Sequence, residues 1–360
     1  MKVIEFIRDK GLDSLESDPY FVTVNRYDNG LVVLNYSQID SPKYAPIVSE
    51  CRGLILDSNN DYRVVARSFD RFYHYEEIKN REKRLISDAV IFEKIDGSLI
   101  SAYHYNDEWH VATRKMAVAE GTTAYGNTFR QVFDKAFDIK KLDGFNEDYN
   151  YIFELVSPET RVVTPYPNYE VFLLTVRDRK LGRELPEYVV NNCAEFLGVK
   201  RPKRYKMNSF DDIVKSFESL PPTDEGYVCL WPDFFRCKIK NPAYLAIANM
   251  RINGGINKNS VIHLVVTGND TDYLINFPED TLLFKPYQVV MKSIVNDVRN
   301  IWGQVRHLTD KKSYAMIVKD LPISHIMFKL YKEERDVEEI LKGMSEASLE
   351  RLFDLYGSQK

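Results

Sequence analysis

The sequence predicts an α+β fold, with antiparallel and mixed sheets over roughly the first two thirds and an all-α remainder. Three observations carry this. From Tyr20 to about Asp107, short apolar runs alternate with turn signals such as Asn29-Gly30, Ser41-Pro42 and Asp96-Gly97. Two more apolar runs with strand spacing close this region at 226–231 and 235–239. Beyond about Leu245 the period changes, and 281–306, 312–319, 324–333 and 336–355 are mostly helical. At 360 residues the chain is long for one core. The expected division is 1–245 and 246–360, with no Pro-rich or Ser-rich linker between them.

Taken in order, residues 1–17 have the spacing of a short amphipathic helix. Strands are expected at 31–36, 53–56, 90–92, 99–105 and 109–113. Phe129, Val132, Phe133, Ala136 and Phe137 recur at helical spacing and place a helix over 122–142. Strands return at 151–156 and 171–176, followed by helices at 187–197 and 209–219.

The net charge of −4 excludes a polycation, so any nucleic-acid contact must come from locally concentrated charge. The 23 Tyr and 20 Phe supply core and strand residues first, and stacking surfaces second. Cys51, Cys193, Cys229 and Cys237 form no Cys-x-x-Cys pair, which argues against zinc and against a disulfide framework, and favours a reducing, cytoplasmic setting. No run approaches the length of a membrane span, and the N-terminal apolar run is too short for a signal peptide.

Five short motifs carry chemistry. Lys94 sits in Phe92-Glu93-Lys94-Ile95-Asp96-Gly97-Ser98-Leu99. Taken alone, Asp-Gly between apolar runs is a hairpin signal with an incidental lysine. A lysine held against low-dielectric walls is also a nucleophile near neutral pH. Arg52, in Glu50-Cys51-Arg52-Gly53, is either a solvated edge charge or a fork for phosphate oxygens. Glu154, in Phe153-Glu154-Leu155-Val156, needs a cation, metal or hydroxyl partner if it faces inward. Glu225 opens the strand Gly226-Tyr227-Val228. Lys238 and Lys240 fall on one face of the next strand, where their repulsion calls for an anion between them.

The ordered series Arg-Gly, Lys-x-Asp-Gly-Ser, Phe-Glu-Leu-Val, Glu-Gly-Tyr-Val and Lys-x-Lys resembles the covalent nucleotidyltransferases. More narrowly, the chain resembles the bacteriophage ATP-dependent RNA ligase 1 family. Leu173-Leu174-Thr175-Val176-Arg177 and Lys312-Ser313-Tyr314-Ala315-Met316 extend the likeness over nearly the whole length. DNA ligases and capping enzymes share the core but usually carry arginine after the residue at Ser98. Leu99 therefore favours an RNA ligase.

The resemblance implies an N-terminal nucleotidyltransferase (ATP-grasp-like ligase) domain with a helical RNA-specificity domain. It also implies ATP as substrate, with Mg²⁺ as cofactor and Mn²⁺ able to substitute. Lys94 matches the nucleophile that becomes lysyl-AMP, and neighbouring Lys238, Lys240 and Mg²⁺ are expected to lower its pKa. Tyr36, Arg52, Arg71, Arg114, Lys238 and Lys240 match nucleotide contacts, with Phe72 or Tyr73 near the base or in the core. Arg71 stands where the family often has lysine, and Thr113-Arg114-Lys115-Met116 lacks a family glycine, which leaves the register between Arg114 and Lys115 open. Glu154 and Glu225 match metal-linked acids, Asp272 (beside Asp270) lies near a metal-binding aspartate, and Tyr244 matches a further essential position.

In the C-terminal part Lys285, Lys292, Arg299, Arg306, Lys311 and Lys312 are phosphate-contact candidates or a solvated helical face. The implied partners are RNA with 5′-phosphate and 3′-hydroxyl ends, nicked tRNA among them, and a kinase-phosphatase that heals such ends. A cytoplasmic monomer is expected. The alternatives are a capping-type guanylyltransferase, a DNA ligase, or a non-catalytic RNA- or nucleotide-binding protein of the same fold.

Overall fold

A computed structural model describes residues 1–79, 84–123, 125–252, 255–332 and 336–358, apart from the side chains of Ile252 and Asp272. Residue 124 of the predicted 122–142 helix and residue 333 of the 324–333 helix lie outside the described residues. The chain divides into two compact units, Met1–Asn249 and Met250–Lys360.

The first unit opens with helix α1 (Lys2–Lys10). Strands β1 (Val22–Arg26), β2 (Leu31–Tyr36), β3 (Arg52–Asp57) and β4 (Arg63–Ala66) then form a four-stranded sheet in that order, with α2 (Pro46–Glu50) before β3. The predicted helix over 1–17 is shorter than expected. Gly11, at φ +84°, ends it, and a single 3₁₀ turn, Leu12–Leu15, follows.

Next come β5 (Tyr73–His74), β6 (Val90–Glu93), β7 (Ser98–Tyr105), β8 (Glu108–Thr113), α3 (Phe129–Ala136), β9 (Tyr149–Val156) and β10 (Glu170–Asp178). The rest of the unit is α4 (Glu187–Leu197), β11 (Arg204–Tyr205), α5 (Phe210–Ser216), β12 (Gly226–Leu230), β13 (Arg236–Lys240) and α6 (Pro242–Met250). The predicted 122–142 helix begins only at Phe129. Gly126, at φ +86°, precedes it, and Thr128 with Gln131 closes a capping box that fixes the start.

Two sheets build the site. One has the order β10-β9-β7-β8, the other β11-β6-β12-β13-β5. This overturns the hairpin reading of Asp96-Gly97. β6 pairs with β11 and β12, β7 pairs with β8 and β9, and the Lys94–Gly97 link crosses from one sheet to the other. A local turn signal says that the chain bends; which strands pair depends on distant partners. Gly97 serves close approach here. A Cβ on it would lie 2.5 Å from the Leu155 carbonyl oxygen and 2.9 Å from Val156 Cγ1.

Alternation sets the faces of both sheets. Ile91, Tyr227, Cys229, Cys237 and Ile239 point into a core shared with Ile213 of α5. Ile100, Phe153, Leu155 and Leu173 point into a core closed by α3 and α4. The opposite faces carry Phe92, Val228, Leu230, Leu99 and Glu154 to a common cavity.

The second unit contains α7 (Lys258–Thr267), α8 (Asp270–Asn276), α9 (Thr281–Val305), α10 (Lys311–Val318), α11 (Ser324–Lys332), α12 (Val337–Lys342) and α13 (Glu346–Gly357), after a two-residue ladder at Arg251–Ile252 and Gly255–Ile256. Its core joins Ile294 and Val298 of α9 to Tyr314, Met327, Leu341 and Phe353. Among the described residues no helix is long and apolar enough to cross a membrane. The four cysteines are free thiols.

Candidate functional site

The cavity between the two sheets has a volume of about 500 Å³, within the range of small-ligand sites. Its apolar wall includes Phe69, Phe72, Phe92, Leu99 and Leu174, and its charged lining includes Arg52, Lys94, Arg114 and Glu154. Lys94 arrives at the end of β6, where its backbone N–H donates to the Gly226 carbonyl at 2.9 Å. Its ammonium donates to Glu225 Oε2 at 2.6 Å, and Lys240 Nζ pairs with Glu225 Oε1 at 2.7 Å. One buried carboxylate therefore holds two lysines. Gly226, at φ +125°, makes this possible, because a Cβ there would meet the Ile239 carbonyl oxygen at 2.3 Å.

The electrostatics correct one expectation. Burial disfavours the Lys94 ammonium, but the carboxylates of Glu225, Glu154 and Asp96 outweigh it and hold its pKa above the ordinary lysine value. The predicted lowering by neighbouring cations falls instead on Lys238. Burial, then Lys240, Lys94 and Arg52, bring Lys238 down to about 8. Glu225, though buried, is held below the usual carboxylate range by Lys94 and Lys240.

Glu154 stands directly opposite Leu99 in the β7–β9 ladder, on the cavity face. Burial pushes its carboxyl up to about 7, against the pull of Lys94, with Glu225 adding to the rise. It accepts no hydrogen bond and makes no ion pair among the described residues. Glu154 therefore keeps its proton between pH 4.5 and 7 when folded and loses it when unfolded. Metal-free stability should fall by up to roughly 3 kcal/mol as pH rises through that window. Urea unfolding at pH 5 and pH 8 checks this, since Glu154→Gln should lose this part of the slope relative to the parent.

Arg52 is half-buried with its guanidinium 5.9 and 5.3 Å from the ring centres of Phe69 and Phe72, and its buried Nη1 has no hydrogen-bond partner among the described residues. Burial lowers its pKa. Arg114 and Lys115 both line the cavity, and the Arg114 guanidinium also lies 5.7 Å from the Tyr36 ring. Tyr36 is buried and holds Arg71 at 4.2 Å over its ring. Arg71, with an unpartnered buried Nη1, and Tyr73 line a neighbouring cavity of about 810 Å³ instead, while Phe72 lines both.

Tyr244, on α6, donates to Asp96 Oδ1 at 2.7 Å, and Asp96 Oδ2 accepts from the backbone N–H groups of Val163 and Thr164 at 2.8 Å each. Asp96 was quoted within the lysine motif, yet its partners lie too far along the chain for spacing to reveal. Arg236 was missed as well. It lines the cavity, sits two residues before Lys238 on the same strand face, and is fixed by a bidentate pair with Glu184.

Among the described residues no three His, Cys, Asp or Glu side chains converge as a metal site. In the second unit, Asp270 Oδ2 accepts from Gln288, and Asp272 lies on α8 with its side chain outside the described residues. Lys285, Lys292 and Arg299 lie on α9, Arg306 follows it, and Lys311 and Lys312 open α10. Arg299 is paired with Glu338 at 2.7 Å.

Two sheets facing each other across a cavity, with a half-buried lysine at their crossing, define the nucleotidyltransferase fold of the polynucleotide ligases. The likeness to an archaeal ATP-dependent RNA ligase structure agrees, with a TM-score of 0.50 at 13% identity over 80% of this chain and 73% of that one. The RNA ligase family model of the T4 RNA ligase 1 type matches residues 50–244, and the chain belongs to that family. A protein of Autographa californica nuclear polyhedrosis virus, carrying the name bifunctional polynucleotide kinase/RNA ligase, is 31% identical over 95% of this chain. The match covers 51% of that relative, so the chain spans about half its length. An RNA ligase of Rhodothermus phage RM378 is 26% identical over 69% of this chain and 70% of its own.

Proposed function

We propose that the chain is an ATP-dependent RNA ligase that joins RNA 5′-phosphate and 3′-hydroxyl ends through a lysyl-AMP on Lys94 and an RNA-adenylate. The observation that carries the reading is the Lys94–Glu225–Lys240 arrangement beside an aromatic cavity into which Arg52 brings an unsatisfied guanidinium nitrogen.

In the first step Lys94 Nζ attacks the α-phosphorus of ATP. The N–P bond forms, the bond to the β-phosphate oxygen breaks, and pyrophosphate leaves. Lys94 must first give up a proton, and Glu225 Oε2, at 2.6 Å, is placed to receive it. Glu225 is a weak base while it holds two lysines. A triphosphate drawing Lys240 onto its own oxygens would strengthen Glu225 at the moment the proton has to move. Lys238, brought down to about 8, still carries its proton for the most part at neutral pH, and an arriving anion would favour that charged form, which then stabilises charge on the phosphates. Arg52 and Arg114 are assigned to phosphate oxygens, and Phe69, Phe72 and Phe92 to the base. Tyr36 and Arg71 support this set from the adjoining side. Tyr244 positions the loop that carries Lys94 through Asp96.

Glu154 fits a divalent metal, because it is a hard oxygen donor that pairs with no cation among the described residues. Mg²⁺ commonly takes one or two carboxylates and completes its shell with water and phosphate oxygens. Glu154, with Glu225 once released, would hold it, and the ion would neutralise charge on the transferring phosphate. The second unit is assigned to RNA recognition, with nicked tRNA as one substrate. An end-healing kinase-phosphatase is a fitting partner, given the name of the baculovirus relative.

Intact mass after incubation with ATP and Mg²⁺ tests the reading. A gain of one adenylate is expected, discharged by 5′-phosphorylated single-stranded RNA with the appearance of joined product. An adduct formed with GTP alone would point to a capping-type enzyme. Discharge onto nicked DNA but not RNA would point to a DNA ligase.

A further inference from the structure

The run Lys200-Arg201-Pro202-Lys203-Arg204-Tyr205-Lys206 places five cations in seven residues of a chain whose net charge is −4. The structure divides these cations into two groups. Lys200 pairs with Glu170 at 2.8 Å, and Arg201 pairs with Glu187 at 2.7 Å while donating to the Leu173 and Leu174 carbonyls. Those two hold α4 and β10 in place. Lys203, Arg204 and Lys206 are exposed, and none of them makes an ion pair among the described residues.

Their position gives this charge a direction. β11 is the outermost strand of the five-stranded sheet. Arg204 stands opposite Phe92, Phe92 opposite Val228, and Val228 opposite Lys238. Directly opposed residues share a face, and Phe92 and Val228 line the cavity. Arg204 therefore sits at the outer end of the row that runs through the cavity wall to Lys238, three strand spacings or roughly 14 Å away. On the other face Lys203 lies 5.0 Å over the Tyr205 ring, so cations stand on both sides of the edge. Glu93, at the end of β6, accepts from the backbone N–H of Lys203 at 3.4 Å, which ties the start of this edge to the neighbouring strand.

We propose that Lys203, Arg204 and Lys206 form a landing edge for the backbone phosphates of single-stranded RNA, guiding an end along the sheet toward Lys94. The edge reads charge and spacing, not sequence, since it carries point charges on exposed side chains. The proposal rests on the RNA ligase reading, and its test separates the two.

The triple variant Lys203→Ala, Arg204→Ala, Lys206→Ala changes only exposed side chains. It should form the AMP adduct at the parent's rate, within twofold. Binding of a 5′-phosphorylated single-stranded RNA, measured without ATP at 0.1 M salt, should weaken at least about tenfold. The slope of log affinity against log salt should fall by about 2, at roughly 0.7 per lost phosphate contact. The charge-retaining variant Lys203→Arg, Arg204→Lys, Lys206→Arg should bind like the parent. RNA affinity and salt slope unchanged in the alanine variant would overturn the edge. If the parent forms no adduct with ATP, the ligase reading fails, and the ATP-free binding measurement still decides the edge.

Discussion

Lys94→Ala is expected to abolish the AMP adduct and ligation, by roughly 10⁴-fold or more, while leaving the chain folded. The loss is large because no other amine is held at the same place. Lys240 sits on the far oxygen of Glu225, and among the described residues Lys238 pairs with no carboxylate that could accept its proton. The fold should survive because Glu225 keeps Lys240 as a partner, so the mutation does not orphan a buried charge. Orphaning one costs about 3–5 kcal/mol, whereas losing one of two partners should cost nearer 1 kcal/mol. Intact mass after ATP and Mg²⁺, with a thermal melt on the same sample, reads both effects. An adduct that persists in this variant would remove Lys94 from its assigned role.

The second large effect should come from Asp96→Ala. Asp96 is 4% exposed and satisfies three donors at once, the N–H groups of Val163 and Thr164 and the Tyr244 hydroxyl. Removing it leaves those donors unpaired in a dry region, at a cost of about 4 kcal/mol after partial relaxation. For a unit of this size that is a fall in Tm of about 8–16 °C. Tyr244→Phe removes only one charge-assisted bond and should cost about 2 kcal/mol. Both variants should lose adduct formation beyond what unfolding explains, since the loop they release carries Lys94. A melt unchanged in Asp96→Ala would show that these contacts hold nothing together.

The strand alternation of the site was legible in the sequence. Lys238-x-Lys240 follows a period of two, and Lys238 stands opposite the cavity-lining Val228, so both lysines share the sheet face that bears the cavity, although neither is among its lining residues. Glu154 was legible for the same reason, as a lone acid in an apolar strand. Long-range pairing was not legible. The Asp96–Tyr244 bond joins residues 148 apart, and nothing local announces it. The sign of the Lys94 shift was misread because it depends on how many carboxylates surround the ammonium. Spacing places the cations but does not show that Glu225 serves two of them. The helix bounds at Lys10 and Phe129 were set by Gly11 and by the Thr128 cap, both visible in the sequence but outweighed there by longer apolar spacing.

The crossing at Lys94–Gly97 has a consequence for how the protein comes to act. The Lys94 amine, the proposed nucleophile, belongs to neither layer alone. Glu225 and Lys240 reach it from the layer that β6 joins, and Glu154 comes from the layer that β7 joins. A nascent or half-assembled chain with one layer formed has the lysine but not its surroundings. On the lysyl-AMP reading, adenylation of Lys94 therefore requires both sheets, since one brings Glu225 and Lys240 and the other Glu154.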